Sequence, residues 1–190
     1  MARPAAADPS LVLGEFGIDA WRLQRGDHPL EVKSYPTGKY RFDAPGGEYP
    51  APLYANTLRL GCFAEVFGDA GVIEAAEIRR RSLFRLRSTR ELRLLRLENG
   101  GVQKAFGLDS RICDTKRYAV SQAWGLAFHK WYPDADGIRY ISRHASPGLN
   151  VCLFLNRCAD AITAEEVGRL VDMRKTVAAA RREYHLDSQG

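Results

Sequence analysis

Apolar residues follow the spacing of a β-strand in several short runs along the chain. Residues 20–23, 53–55, 138–142 and 149–155 are each predicted to form a strand, and the last is the most strand-like run in the sequence. Residues 72–97 are predicted to add two strands. Apolar residues alternate with arginines in the first of these, whereas the leucines of the second depart from strict alternation.

A helix is predicted directly after the strand at 53–55. Asn56 or Thr57 is expected to cap it, and it runs to about residue 67 with Leu58, Cys62 and Val66 four residues apart on one face. This spacing places the three side chains on the face that the helix buries.

Two further helices are predicted at 116–132 and 163–184. The first follows a cap residue, Asp114 or Thr115, and its apolar stripe consists of Val120, Trp124, Ala127, Phe128 and Trp131. The second opens with the capping box Thr163-Ala164-Glu165-Glu166.

Two segments lack a clear pattern. Residues 1–18 carry weakly spaced apolar residues after a proline- and alanine-rich start and are expected to form a frayed helix. Residues 26–52 are rich in proline and glycine and are predicted to be a long irregular segment, a kind of loop that often carries function. No internal repeat and no second core are visible, so a single domain is expected.

Composition excludes several classes of protein. With 45% hydrophobic residues in 190, the chain can bury a core without disulfides or metal. The four cysteines form no CxxC pair and the four histidines are scattered, so no zinc site is predicted and the thiols are expected to be reduced and buried. No apolar run approaches the roughly 20 residues of a membrane span, and the N-terminus lacks the apolar core of a signal peptide. A soluble cytoplasmic protein is expected.

The positive charge supports two interpretations. The net charge is +5, arginine supplies 22 of the 28 basic residues, and eight arginines lie within 79–96 against the single acid Glu91. One hypothesis is a basic module that binds nucleic acid or an acidic partner through this run. The other is that these arginines form the solvated face of the two strands predicted there.

Candidate chemistry is concentrated where Arg41, Tyr54 and Glu65 lie among apolar neighbours. Because Glu65 is close to the predicted apolar face of its helix, its carboxylate is expected to be poorly solvated, which suits the stabilisation of a cation. The alternative is a structural ion pair with Arg41 or Arg22. Arg41 could instead be an exposed residue of a loop. Tyr54 could instead be a core residue whose hydroxyl is hydrogen-bonded within the protein.

Several groups of residues, in this order, resemble the RES domain family. They are Trp21-Arg22-Leu23, Gly38-Lys39-Tyr40-Arg41-Phe42-Asp43, Leu53-Tyr54-Ala55 with Glu65 eleven residues later, Asp136-Gly137-Ile138-Arg139-Tyr140-Ile141-Ser142-Arg143 and Leu153-Phe154-Leu155-Asn156. The similarity spans about residues 20–157. It implies an α+β fold like that of ADP-ribosyltransferases, with a mixed or antiparallel sheet flanked by helices in a single domain.

The resemblance also implies a division of that domain. An N-terminal extension would occupy 1–19, a RES-like catalytic domain 20–160 with an arginine-rich insertion at about 72–97, and a C-terminal helix within 161–190 would pack on the same domain.

The resemblance further implies a function. Characterised members of the family destroy NAD+, and many are toxins held inactive by a DNA-binding antitoxin encoded beside them. The expectation here is NAD+ as the substrate, no prosthetic group, an Xre-like antitoxin as partner, and contact with nucleic acid only through that antitoxin. No membrane is expected to be involved, and a homo-oligomer is left open.

By the same resemblance, the residues that name the family fall on Arg22, Glu65 and Ser142, which are predicted to be catalytic. The residues predicted to bind NAD+ are Arg41, Tyr54, Tyr40, Ser121, Gln122 and Asn150. Asn156 is expected to organise backbone. No metal ligand is predicted.

The chemistry explains why such residues suit NAD+. Cleavage of the nicotinamide–ribose bond releases a neutral base from a cationic ring, so the leaving group needs no general acid. The transition state instead gains positive charge on the ribose, which a preorganised carboxylate such as that of Glu65 stabilises. Arginines such as Arg22 and Arg41 can donate two hydrogen bonds to a pyrophosphate.

Overall fold

Eight strands join one mixed sheet in the computed structural model, which describes residues 2–26 and 38–189. Two further strands form a second sheet, so the described residues contain ten strands: β1 (Leu13–Phe16), β2 (Asp19–Arg25), β3 (Leu53–Asn56), β4 (Val72–Glu74), β5 (Arg81–Ser88), β6 (Leu92–Arg96), β7 (Gly137–Ile141), β8 (Leu149–Leu153), β9 (Ile162–Arg169) and β10 (Asp187–Gln189). The large sheet has the order β1-β6-β7-β8-β3-β2-β5-β9, and only the β6–β7 pair is parallel among its neighbours. Strands β4 and β10 form a separate parallel pair.

Helices flank this sheet. In the described part of the chain they are α1 (Pro9–Val12), α2 (Gly61–Phe67), α3 (Ala75–Arg80), α4 (Gly100–Ala105), α5 (Arg111–Asp114), α6 (Tyr118–Trp131), α7 (Leu155–Cys158) and α8 (Arg174–Tyr184). The predicted α+β class, with a mixed sheet flanked by helices in one domain, is confirmed. Within the described ranges, no helix is both long and apolar enough to cross a membrane.

Most predicted strands are confirmed. Strands β2, β3, β7 and β8 lie at the four short runs identified from the sequence, and α6 lies within the helix predicted at 116–132. Residues 72–97 contain the two expected strands, β5 and β6, but β4 and α3 precede them. Of the irregular segment predicted at 26–52, residues 38–52 contain neither helix nor strand, and 27–37 lie outside the described residues.

The helix predicted at 163–184 is wrong in its first half. Residues 162–169 form β9, which pairs with β5 from Ser88↔Ile162 to Ser82↔Arg169, and α8 begins only at Arg174. The capping box is a local signal, whereas β5 offers an edge whose backbone groups need partners. Ladder hydrogen bonds to β5 therefore outweigh the local preference.

The expected frayed helix at 1–18 is also wrong for most of its length. Of residues 2–18, only Pro9–Val12 is helical, with Asp8 as its cap, and β1 follows at once and pairs with β6. The N-terminal segment thus contributes one edge strand of the large sheet, and β9 forms the opposite edge.

Helix α2 begins later than predicted and buries another face. It starts at Gly61 without a side-chain cap, and Asn56 instead accepts a hydrogen bond from the Leu58 amide, 2.8 Å away. Leu58 and Val66 are exposed, whereas Cys62, Phe63 and Phe67 are buried.

Three apolar clusters hold the fold together. One lies between β7, β8 and the helices α4 to α6, and a second fills the other side of β3 and β8. The third packs α2 and α8 against β2 and β5. All four cysteines are buried, as expected. The predicted site residues lie on several elements: Arg22 on β2, Tyr54 on β3, Glu65 on α2, Ser121 and Gln122 on α6, Asn150 on β8, Ser142 directly after β7, and Tyr40 and Arg41 in the segment before β3.

Candidate active site

Glu65 and Ser142 are brought together from different elements. Glu65 lies on α2, and Ser142 directly follows β7. The Ser142 hydroxyl donates a hydrogen bond to Glu65 Oε1 over 2.5 Å and accepts one from the Ala145 amide over 2.8 Å. Its own amide donates to the Gly148 carbonyl, 3.0 Å away. Because Ser142 is buried and both roles of its hydroxyl are used, this serine holds the Glu65 carboxylate in one orientation.

The carboxylate of Glu65 is more open than predicted. Glu65 is exposed, since the buried face of α2 is formed by its neighbours, so the expectation of a poorly solvated carboxylate is wrong. Among residues 2–26 and 38–189, Oε2 has no hydrogen-bond partner and Glu65 makes no ion pair with Arg22 or Arg41. One oxygen is therefore fixed by Ser142 while the other faces outward.

The two arginines bind the backbone around the site. Arg22 donates from Nη1 to the Tyr54 carbonyl and from Nε to Gln24 Oε1, each over 2.7 Å. Arg41 is buried, which excludes an exposed loop arginine, and its Nη1 donates to the Ile112 and Thr115 carbonyls over 3.2 and 2.9 Å. In the described part of the chain, Nε and Nη2 of Arg41 have no acceptor.

Both guanidinium groups act on the same surroundings as Glu65. Burial raises the pKa of Tyr140 well above its usual value, the Glu65 carboxylate adds to the rise, and Arg41 opposes it. Burial likewise raises the pKa of the Cys62 thiol, which Arg22 lowers and Glu65 raises further. Each arginine therefore opposes the effect of Glu65 on one buried group, Arg41 at Tyr140 and Arg22 at Cys62.

Tyr54, whose carbonyl accepts from Arg22, forms an aromatic pair with Tyr40. The rings of Tyr40 and Tyr54 lie 5.6 Å apart at 55°, and Tyr40 is 59% exposed. The Tyr54 hydroxyl donates to Asp43 Oδ1 over 2.9 Å and accepts from the Phe42 amide over 3.0 Å. Burial raises the pKa of Tyr54 well above its usual value, so this phenol stays neutral. Its hydroxyl is engaged with the protein, and the rings are the groups that a ligand would meet.

The other predicted binding residues hold backbone or each other. Gln122 donates to the carbonyls of Gly38 and Tyr40, over 2.9 and 3.0 Å. The Ser121 hydroxyl donates to the Tyr118 carbonyl one turn earlier in α6, 3.1 Å away.

The two asparagines are bound within the protein as well. Asn150 accepts from Asn56 Nδ2 over 2.7 Å in a buried pair between β8 and β3. Asn156, which was expected to organise backbone, instead contacts His129 Nε2 at 3.3 Å.

Sequence reasoning missed Asp43 and Asp69. Asp43 is 1% exposed and accepts three hydrogen bonds. Its position two residues after Arg41 is the only sequence signal that could have identified it. Asp69 lies two residues after the end of α2, and both of its carboxylate oxygens accept from Arg143 Nη2 over 2.7 Å. Burial opposes the effect, but Lys116, Arg143 and His144 together lower the pKa of Asp69.

A polar cavity opens beside Ser142 at the C-terminal end of α2. Its volume is about 490 Å³, and it is lined by Gly68, Asp69, Asp114, Lys116, Arg143 and His144. Asp69 accepts close contacts from Lys116 Nζ at 3.1 Å and Arg143 Nη2 at 2.7 Å, and its Oδ2 lies 3.8 Å from His144 Nε2. The charges of this wall are therefore paired with each other.

The arginines of 79–96 do not form a single surface. Strands β5 and β6 are separated by four other strands in the sheet, so the two halves of the run lie in different parts of the molecule. Five of the eight arginines are paired with carboxylates: Arg81 with Glu77, Arg85 with Asp19, Arg87 with Glu165, Arg90 with Asp136, and Arg93 with Asp134. This distribution favours solvated, ion-paired strand faces over one basic docking surface.

The chain is thus a single-domain α+β protein in which a buried serine hydroxyl orients the carboxylate of an exposed glutamate. The RES domain profile matches residues 19–180, and the chain belongs to the RES domain family. None of the curated proteins compared with the chain matches it.

The fold recurs in a solved structure. A chain of the crystal structure of the M. tuberculosis MbcT–MbcA toxin–antitoxin complex is 17% identical, with a TM-score of 0.65 over 89% of this chain and 93% of that chain. At this identity, the likeness concerns the fold.

Proposed function

We propose that this protein is the toxin of a toxin–antitoxin pair and that it cleaves the nicotinamide–ribose bond of NAD+. Membership of the RES domain family and the fold shared with a chain of a toxin–antitoxin complex support the proposal. The observation that carries it is the Glu65 carboxylate, with one oxygen fixed by Ser142 and the other open to a ligand.

Glu65 is the proposed catalytic residue. As nicotinamide leaves, the ribose carbon gains positive charge, and a carboxylate that is already oriented stabilises this charge without reorganising. Electrostatic stabilisation of this kind contributes several kcal/mol, roughly 3–4 for a single well-placed group. The free Oε2 also accepts a hydrogen bond from a ribose hydroxyl in this scheme. Ser142 acts through Glu65 and is a positioning residue.

The arginines and tyrosines are proposed to bind the substrate. Arg41 still has Nε and Nη2 available, the two donors of a guanidinium fork, which fits a pyrophosphate oxygen pair. Arg22, which donates to the Tyr54 carbonyl, is proposed to supply a second positive charge for the pyrophosphate. The rings of Tyr40 and Tyr54 provide faces on which the cationic nicotinamide ring packs.

The partner is proposed to be an antitoxin of the Xre-like class that covers this site. An enzyme that consumes NAD+ in the cell that makes it must be neutralised, and occlusion of the exposed Glu65 and Tyr40 side chains is a direct way to do so. In this proposal the substrate is NAD+, no prosthetic group takes part, and the acceptor of ADP-ribose is water or a second substrate.

The test is nicotinamide release from NAD+ by the purified chain free of partner. Glu65→Gln keeps the size of the side chain and the hydrogen bond from Ser142 but removes the charge. We expect it to lower kcat by about 100-fold or more. It should also relieve growth arrest while the melting temperature stays close to that of the wild type.

Glu91→Gln provides the matched control, because Glu91 is an exposed glutamate in the β5–β6 turn and lies outside the site. Its rate is expected to equal that of the wild type. Stable NAD+ over hours with the wild-type protein, whether or not an acceptor such as phosphate or protein is added, would refute the proposed function.

A further inference from the structure

The loop at 38–43 is held by side chains from several directions. Asp43 Oδ2 accepts from the amides of Lys39 and Tyr40, over 3.0 and 2.9 Å. Its Oδ1 accepts from the Tyr54 hydroxyl. The carboxylate thus joins the loop that carries Tyr40 to the strand that carries Tyr54, at 1% exposure.

The carbonyl groups of the same loop are bound from the other side. Gln122 on α6 donates to Gly38 and Tyr40, and the Tyr49 hydroxyl donates to the Phe42 carbonyl over 2.5 Å. Helix α6 approaches closely here, because a Cβ at Gly125 would lie 3.1 Å from the Phe42 carbonyl oxygen. The loop backbone is therefore fixed, and Tyr40 extends from it into solvent.

We infer that Asp43 is a positioning residue that sets the Tyr40–Tyr54 pair as a binding face for the flat, cationic ring of the substrate. A carboxylate so deeply buried is costly unless donors satisfy it, and its three donors are the groups that fix these two tyrosines. An exposed tyrosine ring held in place loses less entropy on binding a ligand than a mobile one. The inference rests on the proposed function, because it assigns the ring-binding part of the same site.

The inference predicts a separation of KM from kcat. Asp43→Ala removes all three hydrogen bonds, so the pair loses its fixed geometry and KM for NAD+ is expected to rise about tenfold. The kcat should change less than about threefold, since Asp43 touches neither Glu65 nor Ser142. Asp43→Asn should rescue KM, because its amide oxygen accepts from the two loop amides and its amino group donates to the Tyr54 oxygen.

A double-mutant cycle with Tyr40→Ala distinguishes this role from a merely structural one. Tyr40 is exposed, so its truncation leaves the core intact, and it is expected to raise KM to a similar extent. If Asp43 acts through the pair, adding Asp43→Ala to Tyr40→Ala should raise KM by less than about threefold. An equal rise in both backgrounds, or a fall in kcat at constant KM, would overturn the inference.

Binding is measured separately in the Glu65→Gln background by calorimetry with NAD+. If the wild type fails to release nicotinamide but Asp43→Ala still weakens NAD+ binding about tenfold in this background, the proposed function fails and the inference stands. If the wild type cleaves NAD+ but Asp43→Ala leaves the affinity of the Glu65→Gln protein for NAD+ unchanged, the inference alone fails. No NAD+ binding at all would overturn it too.

Discussion

The hydroxyl of Ser142 is the smallest group on which the site depends. This hydroxyl accepts a hydrogen bond from the Ala145 amide and donates one to Glu65. A single oxygen therefore links the turn after β7 to helix α2. The sequence identified both residues through the family resemblance. Their contact joins positions 77 apart in the chain, and only the folded protein shows it.

Removal of that hydroxyl should affect the chemical step. In Ser142→Ala, Glu65 loses its fixed orientation and the buried Ala145 amide loses its acceptor. We expect kcat for nicotinamide release to fall about tenfold or more, with KM nearly unchanged, and stability to fall by about 1–3 kcal/mol. Steady-state kinetics and a denaturant titration measure the two effects.

Ser121→Ala is the matched comparison. Ser121 is another fully buried serine, but its hydroxyl bonds a carbonyl within its own helix. Its truncation should leave kcat and KM within about twofold of the wild type, because an intrahelical hydrogen bond of this kind contributes little. Equal losses in both variants would show that the fall in kcat reports general destabilisation and not the orientation of Glu65.

At the scale of elements, the sheet decides more than local signals do. Residues 162–169 carry a helix-capping pattern, yet they form β9 because β5 has an open edge beside them. The strands β2, β3, β7 and β8 were predictable because their apolar runs are short and each buries apolar side chains in the core. Strand pairing, in contrast, depends on which edges are free.

The contact between β7 and β8 depends on a glycine. A Cβ at Gly137 would lie 2.3 Å from the Cys152 carbonyl oxygen and 3.1 Å from the Leu153 Cα, both backbone atoms of β8. Gly137→Ala is therefore expected to push the two strands apart and to destabilise the protein by about 2–3 kcal/mol. The free energy of unfolding in urea measures this loss.

Gly100→Ala serves as the control at the start of α4. No atom lies within 4 Å of a Cβ at Gly100, and alanine favours the helix, so stability should stay equal or rise by about 0.5–1 kcal/mol. If Gly137→Ala is as stable as Gly100→Ala, the close packing of β7 on β8 is not essential to the sheet.

For the whole molecule, charge is arranged in pairs rather than in one patch. The excess of arginine suggested a basic docking surface, but the sheet separates β5 from β6 and carboxylates distant in sequence neutralise most of the run. Except for Arg90–Asp136, whose carboxylate is buried, these pairs lie at the surface, where they influence solubility more than stability.

The pH dependence of stability should carry a contribution from His129. Its ring stacks on Tyr49, with centroids 4.3 Å apart, and burial together with the nearby Arg157 lowers the pKa of His129 to about 4. The unfolded chain therefore takes up this proton at a higher pH than the folded one. Stability is expected to fall as the pH decreases from about 6.5 to 4, by roughly 1 kcal/mol after allowance for partial exposure.

His129→Phe isolates this contribution, since phenylalanine keeps an aromatic ring against Tyr49 but does not titrate. The difference in unfolding free energy between wild type and variant should be constant above about pH 7 and shift in favour of the variant towards pH 4. A pH-independent difference would mean that His129 is protonated equally in both states.

The short runs that become strands could be recognised from the residues alone, because residue type and apolar spacing are local properties. The sequence also supplied the family, through ordered groups of residues between Arg22 and Ser142. The contact of Ser142 with Glu65, the hydrogen bond from Tyr54 to the buried Asp43 and the strand at 162–169 follow only from the fold. Each of these depends on hydrogen-bond partners that are remote in the chain, and such partners exist only once the sheet has formed.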